Sequence, residues 1–262
     1  MVNLNRTLIG KMKTERNKLM KITVIGCWGA YPPQAQACSG YLLQTSEKNL
    51  LIDCGSGVLS VLQKYIGLDE IDGVLLSHYH SDHMADIYCF QYAAMISMQL
   101  GKRSKPLEIY AHDLDPQFSK LNFLPYSTAH PISPEKSLRI GNAFIKFLWT
   151  EHPVPCLSLK VVENGKSFVY TGDTGWSDQI VPWVQDADLI LSECSLHNAQ
   201  YNRIKGHLTA GEAGKLAALA SAKRLILTHL PHYGERNVLI QQAGEHFKGQ
   251  LELAKEGLSL VL

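Results

Sequence analysis

The sequence predicts an α/β (α+β) chain in which two β-sheets pack together and helices cover their outer faces. Short apolar runs alternate with turn residues from Lys21 onward, and helical stretches follow the strands in each half of the chain. The second half repeats the strand-then-helix order of the first. Because each sheet must bury at least one face against another layer, two such halves favour a layered sandwich.

Each predicted strand is a short apolar run bounded by turn residues. In the first half, strands are predicted at 22–25, 41–43, 50–52, 74–76 and 107–110, with helices at 55–64 and at 82 to about 98. In the second half, strands are predicted at 143–149, 157–162, 167–171, 189–192, 224–228 and 258–262, with helices at 210–220 and 237–247.

The composition limits the possible classes of protein. The chain has 262 residues, of which 45% are hydrophobic and 19% charged, enough for a sizeable core. No apolar run approaches the roughly 18 residues that a membrane-spanning helix needs, and the polar, basic N-terminus lacks the apolar stretch of a secretory signal. We therefore expect a cytoplasmic protein without a membrane partner.

The charge is unevenly distributed along the chain. Residues 1–19 carry five lysines and arginines and one glutamate, whereas the remainder carries 20 basic against 23 acidic residues, near −3. A net negative charge on residues 20–262 disfavours general binding of nucleic acid, because such binding needs clustered lysines and arginines. Met20 directly precedes the first predicted strand, so we expect residues 1–19 to be a dispensable basic tail and 20–262 a single domain.

The sharpest chemical signal is the run Ser77-His78-Tyr79-His80-Ser81-Asp82-His83, which directly follows a predicted strand. Imidazoles and carboxylates are donors that suit zinc and related divalent metals. At an extended strand end, His78 and His80 point to the same side and can share one ion. The turn into a helix then lets Asp82 and His83 address a neighbouring position.

A dinuclear site needs more ligands than these four. His152, Asp173 and His229 each come just after a predicted strand, where loops are held on a rigid scaffold. Gly172 and Gly175 allow tight turns that would carry Asp173 into a pocket. Together with the first cluster, these residues predict a metal site that is assembled from distant parts of the chain.

These seven residues resemble the metal-binding motifs of the metallo-β-lactamase fold. The resemblance covers nearly all of residues 21–262 and implies a four-layer αββα sandwich with a dinuclear metal site between the sheets. It implies one ion on His78, His80 and His152, a second on Asp82, His83 and His229, and Asp173 as the bridging carboxylate. True β-lactamases of this fold have cysteine at the Asp173 position, which disfavours antibiotic hydrolysis. Flavodiiron oxygen reductases have glutamate in place of the second histidine, and His80 argues against them.

A second pair of motifs, Ser192-Glu193-Cys194 and Gly206-His207-Leu208-Thr209-Ala210, resembles the tRNase Z branch of this fold. In that branch a strand-end glutamate orients a histidine that contacts the scissile phosphate or protonates the leaving oxygen. A carboxylate partner fixes the imidazole tautomer and favours its protonated form. The expected catalytic residues are therefore His207, Glu193 and Asp82, the last of which would steer the attacking water or accept its proton.

The chain departs from typical tRNase Z proteins, which carry a long flexible tRNA-gripping arm between the third histidine and the bridging aspartate. Only residues 153–172 lie in that interval, enough for two strands and a hairpin at the tight-turn signal Asn164-Gly165. The missing arm and the acidic body disfavour tRNA processing. Armless relatives include phosphodiesterases that act on small or cyclic nucleotides.

The leading hypothesis is a metal-dependent hydrolase, namely a ribonuclease Z-like phosphodiesterase that uses a hydroxide activated by two metal ions. The alternatives are a tRNA 3′-processing endoribonuclease, a hydrolase of esters, thioesters or lactones, and a metal-binding module without turnover. Carbonyl chemistry on this fold does not need the Glu193 and His207 pair, which favours phosphoester chemistry.

Two divalent ions are expected as cofactors, with Zn²⁺ first and Mn²⁺ or Fe²⁺ as alternatives, since mixed imidazole and carboxylate donors suit all three. The expected substrate is a small phosphodiester, a nucleotide or an RNA 3′ end. His197, His232 and Thr209 are candidate substrate contacts, and Thr209 is also the predicted N-cap of a helix with Glu212 at its third position. A homodimer is among the expected assemblies because similar proteins are often dimers.

Overall fold

A computed structural model describes residues 19–262 as two seven-stranded sheets with helices outside them. The strands are β1 (Lys21–Gly26), β2 (Gly40–Gln44), β3 (Asn49–Ile52), β4 (Gly73–Leu75), β5 (Leu107–Ala111), β6 (Ser127–Pro131), β7 (Leu138–Ile140), β8 (Ala143–Trp149), β9 (Leu157–Glu163), β10 (Lys166–Tyr170), β11 (Leu189–Glu193), β12 (Arg224–Thr228), β13 (Gln250–Leu253) and β14 (Ser259–Val261). The helices are α1 (Val58–Leu62), α2 (Ser81–Met84), α3 (Ile87–Gln99), α4 (Ile180–Trp183), α5 (Ala210–Leu219) and α6 (Arg236–Gly244). The predicted tail lies outside the described residues except for Leu19, so its dispensability stays a prediction.

The two sheets have matching topologies. The first has the order β14-β1-β2-β3-β4-β5-β6 and the second β13-β12-β11-β10-β9-β8-β7. In each sheet an antiparallel part leads into a parallel part, which runs from β3 to β6 in the first and from β10 to β13 in the second. The carboxyl ends of neighbouring parallel strands lie at one edge of a sheet, where ligand-binding loops collect.

The main core lies between the sheets. Tyr41 on β2 and Tyr170 on β10 are both fully buried, and their ring centroids are 5.0 Å apart across the interface between the sheets. On the outer side of the first sheet, α1 and α3 bury Leu62 and Phe90 in a second cluster. On the second sheet, α5 packs against β11 and β12 and buries Leu216. The predicted four-layer sandwich is confirmed.

Sequence reasoning missed three strands, and all three lie at sheet edges. They are β6, β7 and β13. β6 contains His130 and ends at Pro131, β7 has three residues, and every residue of β13 is at least partly exposed. An edge strand buries little surface and needs no continuous apolar run, so the pattern used to find the central strands does not detect it.

The helix predicted from Asp82 is interrupted. It forms as α2 and α3, with Asp86 at the junction. The Asp86 carboxylate accepts a hydrogen bond from the Leu59 backbone N–H at 3.0 Å, in the first turn of α1. At the break, the Asp86 backbone N–H donates to the Cys54 carbonyl at 3.0 Å rather than to a carbonyl of its own helix, a pairing with a distant residue that the sequence pattern does not show. Across residues 19–262, no helix combines the length and apolar character needed to cross a bilayer.

Candidate metal centre

The seven predicted metal ligands converge on one site at the carboxyl ends of strands from both sheets. The first sheet supplies the four residues of the histidine-rich run, which follows β4 and enters α2. The second sheet supplies His152 after β8, Asp173 after β10 and His229 after β12. Residues that are up to 151 positions apart in the chain thus meet where the two sheets face each other.

The first group of donors joins both sheets. Its members are His78, His80, His152 and Asp173, each of which offers one donor atom within 4.8 Å of the others. His80 Nδ1 lies 3.1 Å from His78 Nε2 and 3.3 Å from His152 Nε2. Three nitrogens and a carboxylate oxygen at this spacing form a donor set for a divalent metal.

The second group consists of Asp82, His83 and His229. The Asp82 Oδ2 atom lies 3.1 Å from His229 Nε2 and 3.6 Å from His83 Nε2. Asp173 lies between the groups, with its oxygens 3.3 Å from His83 Nε2, 3.4 Å from His229 Nε2 and 3.8 Å from His78 Nε2. Asp173 is therefore the carboxylate that both groups share.

The cluster has the chemistry of a cation site. His83 Nε2 and Asp173 Oδ1 are both buried and lie 3.3 Å apart, but neither makes a hydrogen bond of good geometry with the described residues. A buried polar atom left unpaired costs about 1–3 kcal/mol, and both atoms point into the donor cluster. A divalent cation would satisfy both atoms, so the residues present fit the metal that the motif implies.

The surrounding structure fixes which nitrogen each histidine offers. The Nδ1–H of His83 donates to Asp53 Oδ2 at 2.8 Å, and that of His152 donates to the Gly206 carbonyl at 3.1 Å. Such partners orient the ring and leave Nε2 free as a ligand atom. These two rings therefore present Nε2 to the cluster.

Asp53 is a functional candidate that sequence reasoning missed. It directly follows β3 in the left-handed conformation (φ 55°) and is fully buried. Besides His83, its carboxylate accepts hydrogen bonds from Ser77 and from the Tyr170 hydroxyl. A search for aspartates at strand ends, the signal that identifies Asp173, would also have found Asp53.

Glu193 and His207 form a pair beside the donor cluster. The Nδ1–H of His207 donates to Glu193 Oε1 at 2.9 Å, and Glu193 is fully buried at the end of β11. Burial alone would lower the pKa of His207, but the hydrogen bond and charge of Glu193 outweigh burial and raise it to about 9. His207 also lines an open cavity of about 710 Å³ together with His152.

Ser195 joins this pair to the cluster, and no sequence signal marks it. Its hydroxyl donates to Glu193 Oε2 at 2.8 Å and lies 2.7 Å from His229 Nδ1. His207 itself lies close to Asp173 and His229, with donor atoms within 4.8 Å of one another. Distance alone would therefore allow His207 to be a ligand as well as an acid, and metal analysis of a His207 variant separates the two roles.

The three candidate substrate contacts lie in different settings. Thr209 and Glu212 form the predicted capping box at the start of α5, so the Thr209 hydroxyl is engaged with Glu212. His197 Nε2 lies 3.1 Å from the Tyr233 carbonyl, whereas His232 lines an apolar cavity next to His207. Only His232 faces a cavity that also contains cluster residues, and substrate contact by all three stays a prediction.

The charges in the cluster oppose one another in the metal-free protein. Burial would lower the pKa of His83, but the charges of Asp173 and Asp53 outweigh burial and raise it well above its usual range. Burial would raise the pKa of Asp173, but the charges of His229 and His83 bring it well below its usual range. The two shifts therefore favour a proton on His83 and a negative charge on Asp173.

Metal binding is expected to release a proton from His83. Because the pKa of His83 is raised, a proton on its Nε2 competes with a metal as the pH falls through that raised pKa. Zn²⁺ affinity should therefore weaken as the pH falls through the raised pKa of His83. Calorimetric titrations in buffers of different ionisation enthalpy measure the released protons, and Asp53→Asn, which removes one of the two charges, should release fewer. Equal release by both proteins would contradict this expectation.

The fold and the site define the class of this protein, which is a metallo-hydrolase with the metallo-β-lactamase sandwich. The chain belongs to the β-lactamase superfamily, since residues 48–230 match the model of the "Beta-lactamase superfamily domain". The "Probable metallo-hydrolase YhfI" of Bacillus subtilis is 42% identical over 239 residues, covering 91% of this chain and 98% of that protein. The YhfI crystal structure superposes with a TM-score of 0.91 over 94% of this chain and 100% of the YhfI chain, at 40% identity.

A more distant relative carries a specific name. A "Ribonuclease Z" of Myxococcus xanthus is 26% identical over 306 residues, covering 93% of this chain and 98% of that protein. At this level of identity the relationship supports a common family, whereas the substrate is a separate question.

Proposed function

We propose that this protein is a dinuclear phosphodiesterase that cleaves small phosphodiesters. The observation that carries the proposal is the pair of Glu193 and His207, with Nδ1 and Oε1 2.9 Å apart beside the donor cluster. Hydrolysis of a phosphodiester expels an oxygen that needs a proton, and a histidine held by a buried carboxylate is suited to provide it. Hydrolysis of carbonyl esters on this fold does not need such a pair.

The two donor groups support two ions. His78, His80 and His152 would hold one, Asp82, His83 and His229 would hold the other, and Asp173 would serve both. When bound, divalent ions would supply Lewis-acid stabilisation of phosphate oxygens and lower the pKa of a nearby water molecule. Zn²⁺ is our first choice, with Mn²⁺ or Fe²⁺ as alternatives.

The protein residues divide the remaining work among them. His207 holds its proton on the side of the cavity and delivers it to the leaving oxygen, while Glu193 stabilises the charged imidazole. Asp82 accepts a hydrogen bond from the Ala30 N–H at 2.7 Å, which fixes its carboxylate beside the cluster. Burial would raise the pKa of Asp82, but the hydrogen bond from His229 and the nearby imidazole charges hold it well below its usual range. Such a weak base is better suited to orient the attacking water than to accept its proton.

The entrance to the site supports a small substrate. Lys205 is the one lysine or arginine among the described residues that line the 710 Å³ cavity, and Glu151 and Glu212 line it as well. In the interval where tRNase Z proteins have their arm, β9 and β10 join through a tight turn at Asn164 and Gly165. Glu163 and Lys166 are opposite each other in the antiparallel register of this hairpin. A polyanion such as tRNA would need more positive charge. The ribonuclease Z relative keeps an RNA 3′ end as the second candidate substrate.

Turnover by the purified, metal-loaded protein tests this proposal. We expect hydrolysis of bis-p-nitrophenyl phosphate with Zn²⁺ or Mn²⁺, and loss of that activity after chelation. A thioester and a lactone, assayed in parallel, should be poorer substrates. Faster hydrolysis of either carbonyl substrate would favour the esterase alternative, and metal binding without any turnover would favour a non-catalytic module.

We propose a cytoplasmic protein that can form a homodimer, and light scattering of the purified chain tests the second point.

A further inference from the structure

A second cavity, of about 380 Å³, opens beside the donor cluster. His207 and His229 form one side of it, and the rest is mostly apolar, with Leu196, Ile204 and Leu230 among its lining residues. Because His207 and Ile204 also line the larger cavity of about 710 Å³, the two cavities meet at His207, the proposed proton donor. A diester with its phosphorus at this point has room for one substituent in each cavity.

A stack of planar side chains forms another wall of the apolar cavity. The ring of Tyr31 lies parallel to that of His232, with 3.7 Å between centroids and 5° between planes. His232 also stacks on Trp28 at 5.1 Å and is anchored by its Nε2–H, which donates to the Gly29 carbonyl at 2.9 Å. The stack is therefore held in place before any ligand arrives.

The loop that carries this stack is held by contacts with two residues of the donor cluster, His229 and Asp82. A Cβ atom at Gly29 would lie 2.7 Å from the His229 ring, and the Ala30 N–H donates to Asp82. Tyr31 is the next residue and is 59% exposed, although one face of its ring rests on His232. A large aromatic ring with one face supported and the other open is a stacking platform.

We propose that the apolar cavity binds a planar base or aryl group of the substrate, which stacks on the open face of Tyr31. The inference rests on the proposed phosphodiesterase function and specifies its substrate class as phosphodiesters with a nucleoside or aryl substituent. The cavity volume lies within the range of small-molecule sites. Stacking tolerates every base because each has a π-face, so Tyr31 provides affinity for bases in general.

Equilibrium binding tests this inference independently of turnover. We would titrate the Zn²⁺-loaded protein with adenosine 5′-monophosphate, uridine 5′-monophosphate and ribose 5-phosphate, which share a phosphate and differ in the base. The wild type should bind the two nucleotides about tenfold more tightly than ribose 5-phosphate, as expected for one stacked base. Tyr31→Ala and Tyr31→Leu should lose this preference, whereas Tyr31→Phe should keep it.

Tyr92→Ala is the matched control because Tyr92 is 58% exposed on α3 and lines neither cavity. It should behave like the wild type, and the metal content of every Tyr31 variant should be unchanged. Equal affinity of the wild type for nucleotides and ribose 5-phosphate, or a preference that survives in Tyr31→Ala or Tyr31→Leu, would overturn the inference. Tyr31-dependent binding without turnover of bis-p-nitrophenyl phosphate would instead overturn only the proposed function.

Discussion

Replacement of Asp173 by asparagine is expected to remove bound metal and reduce turnover by about a thousandfold or more, since metal activation is worth several kcal/mol of transition-state stabilisation. Asp173 is the carboxylate that approaches both donor groups, 3.3 Å from His83 Nε2 and 3.8 Å from His78 Nε2. An amide keeps the size of the side chain but loses the charge that balances the cations. Elemental analysis beside the bis-p-nitrophenyl phosphate assay measures both effects.

Asp188→Asn is the control for the general cost of removing a buried carboxylate. Asp188 precedes β11 in the same sheet and bonds to Lys223 and Ser167, away from the cluster. This variant should keep its metal and its turnover. If Asp173→Asn retained two equivalents of metal, the shared-carboxylate assignment would be wrong.

Replacement of His207 by alanine is expected to reduce turnover by about a hundredfold or more while the metal content stays close to that of the wild type. The imidazole would supply the proton for the leaving oxygen, whereas the seven proposed ligands remain intact. Because its pKa is raised to about 9, the acid form persists below that pH, and its contribution to the rate is lost as the pH rises through it. Kinetics from pH 6 to 10 and metal analysis check both points.

Glu193→Gln tests the origin of this behaviour. The amide removes the charge that raises the pKa of His207, so the alkaline loss of activity should move to lower pH. His130→Ala is the control for loss of a histidine that pairs with a carboxylate. His130 lies on the edge strand β6 and pairs with Glu108 of β5, so this variant should keep the activity of the wild type. Loss of metal from His207→Ala would make His207 a ligand, which its proximity to Asp173 and His229 allows.

Much of the fold and the candidate site could be predicted because the informative residues lie at strand ends. A buried strand is visible as an apolar run, and a histidine or aspartate directly after it has few structural reasons to be there. His152, Asp173 and His229 were found in this way, and the structure brings them to the histidine-rich run. The Asn164-Gly165 turn was also predictable, because residues that tolerate positive φ mark tight hairpins.

The remaining features depend on contacts between distant residues. Ser195 has no motif, and its link to Glu193 and His229 exists only because β11 and β12 are neighbours. The break between α2 and α3 coincides with a backbone hydrogen bond from Asp86 to Cys54, and the edge strands lack the apolar run that burial imposes on central strands. Sequence periodicity records how much of an element is buried, but it does not record which element lies beside it.

The origin of the donors in both sheets has a consequence for assembly. Each donor group takes residues from the histidine-rich run of the first sheet and from loops of the second, so neither half alone offers a complete coordination sphere. Any ion bound there would link the two halves of the molecule through its ligands. Ion occupancy and docking of the two halves are then thermodynamically linked, so a bound ion would stabilise the docked form.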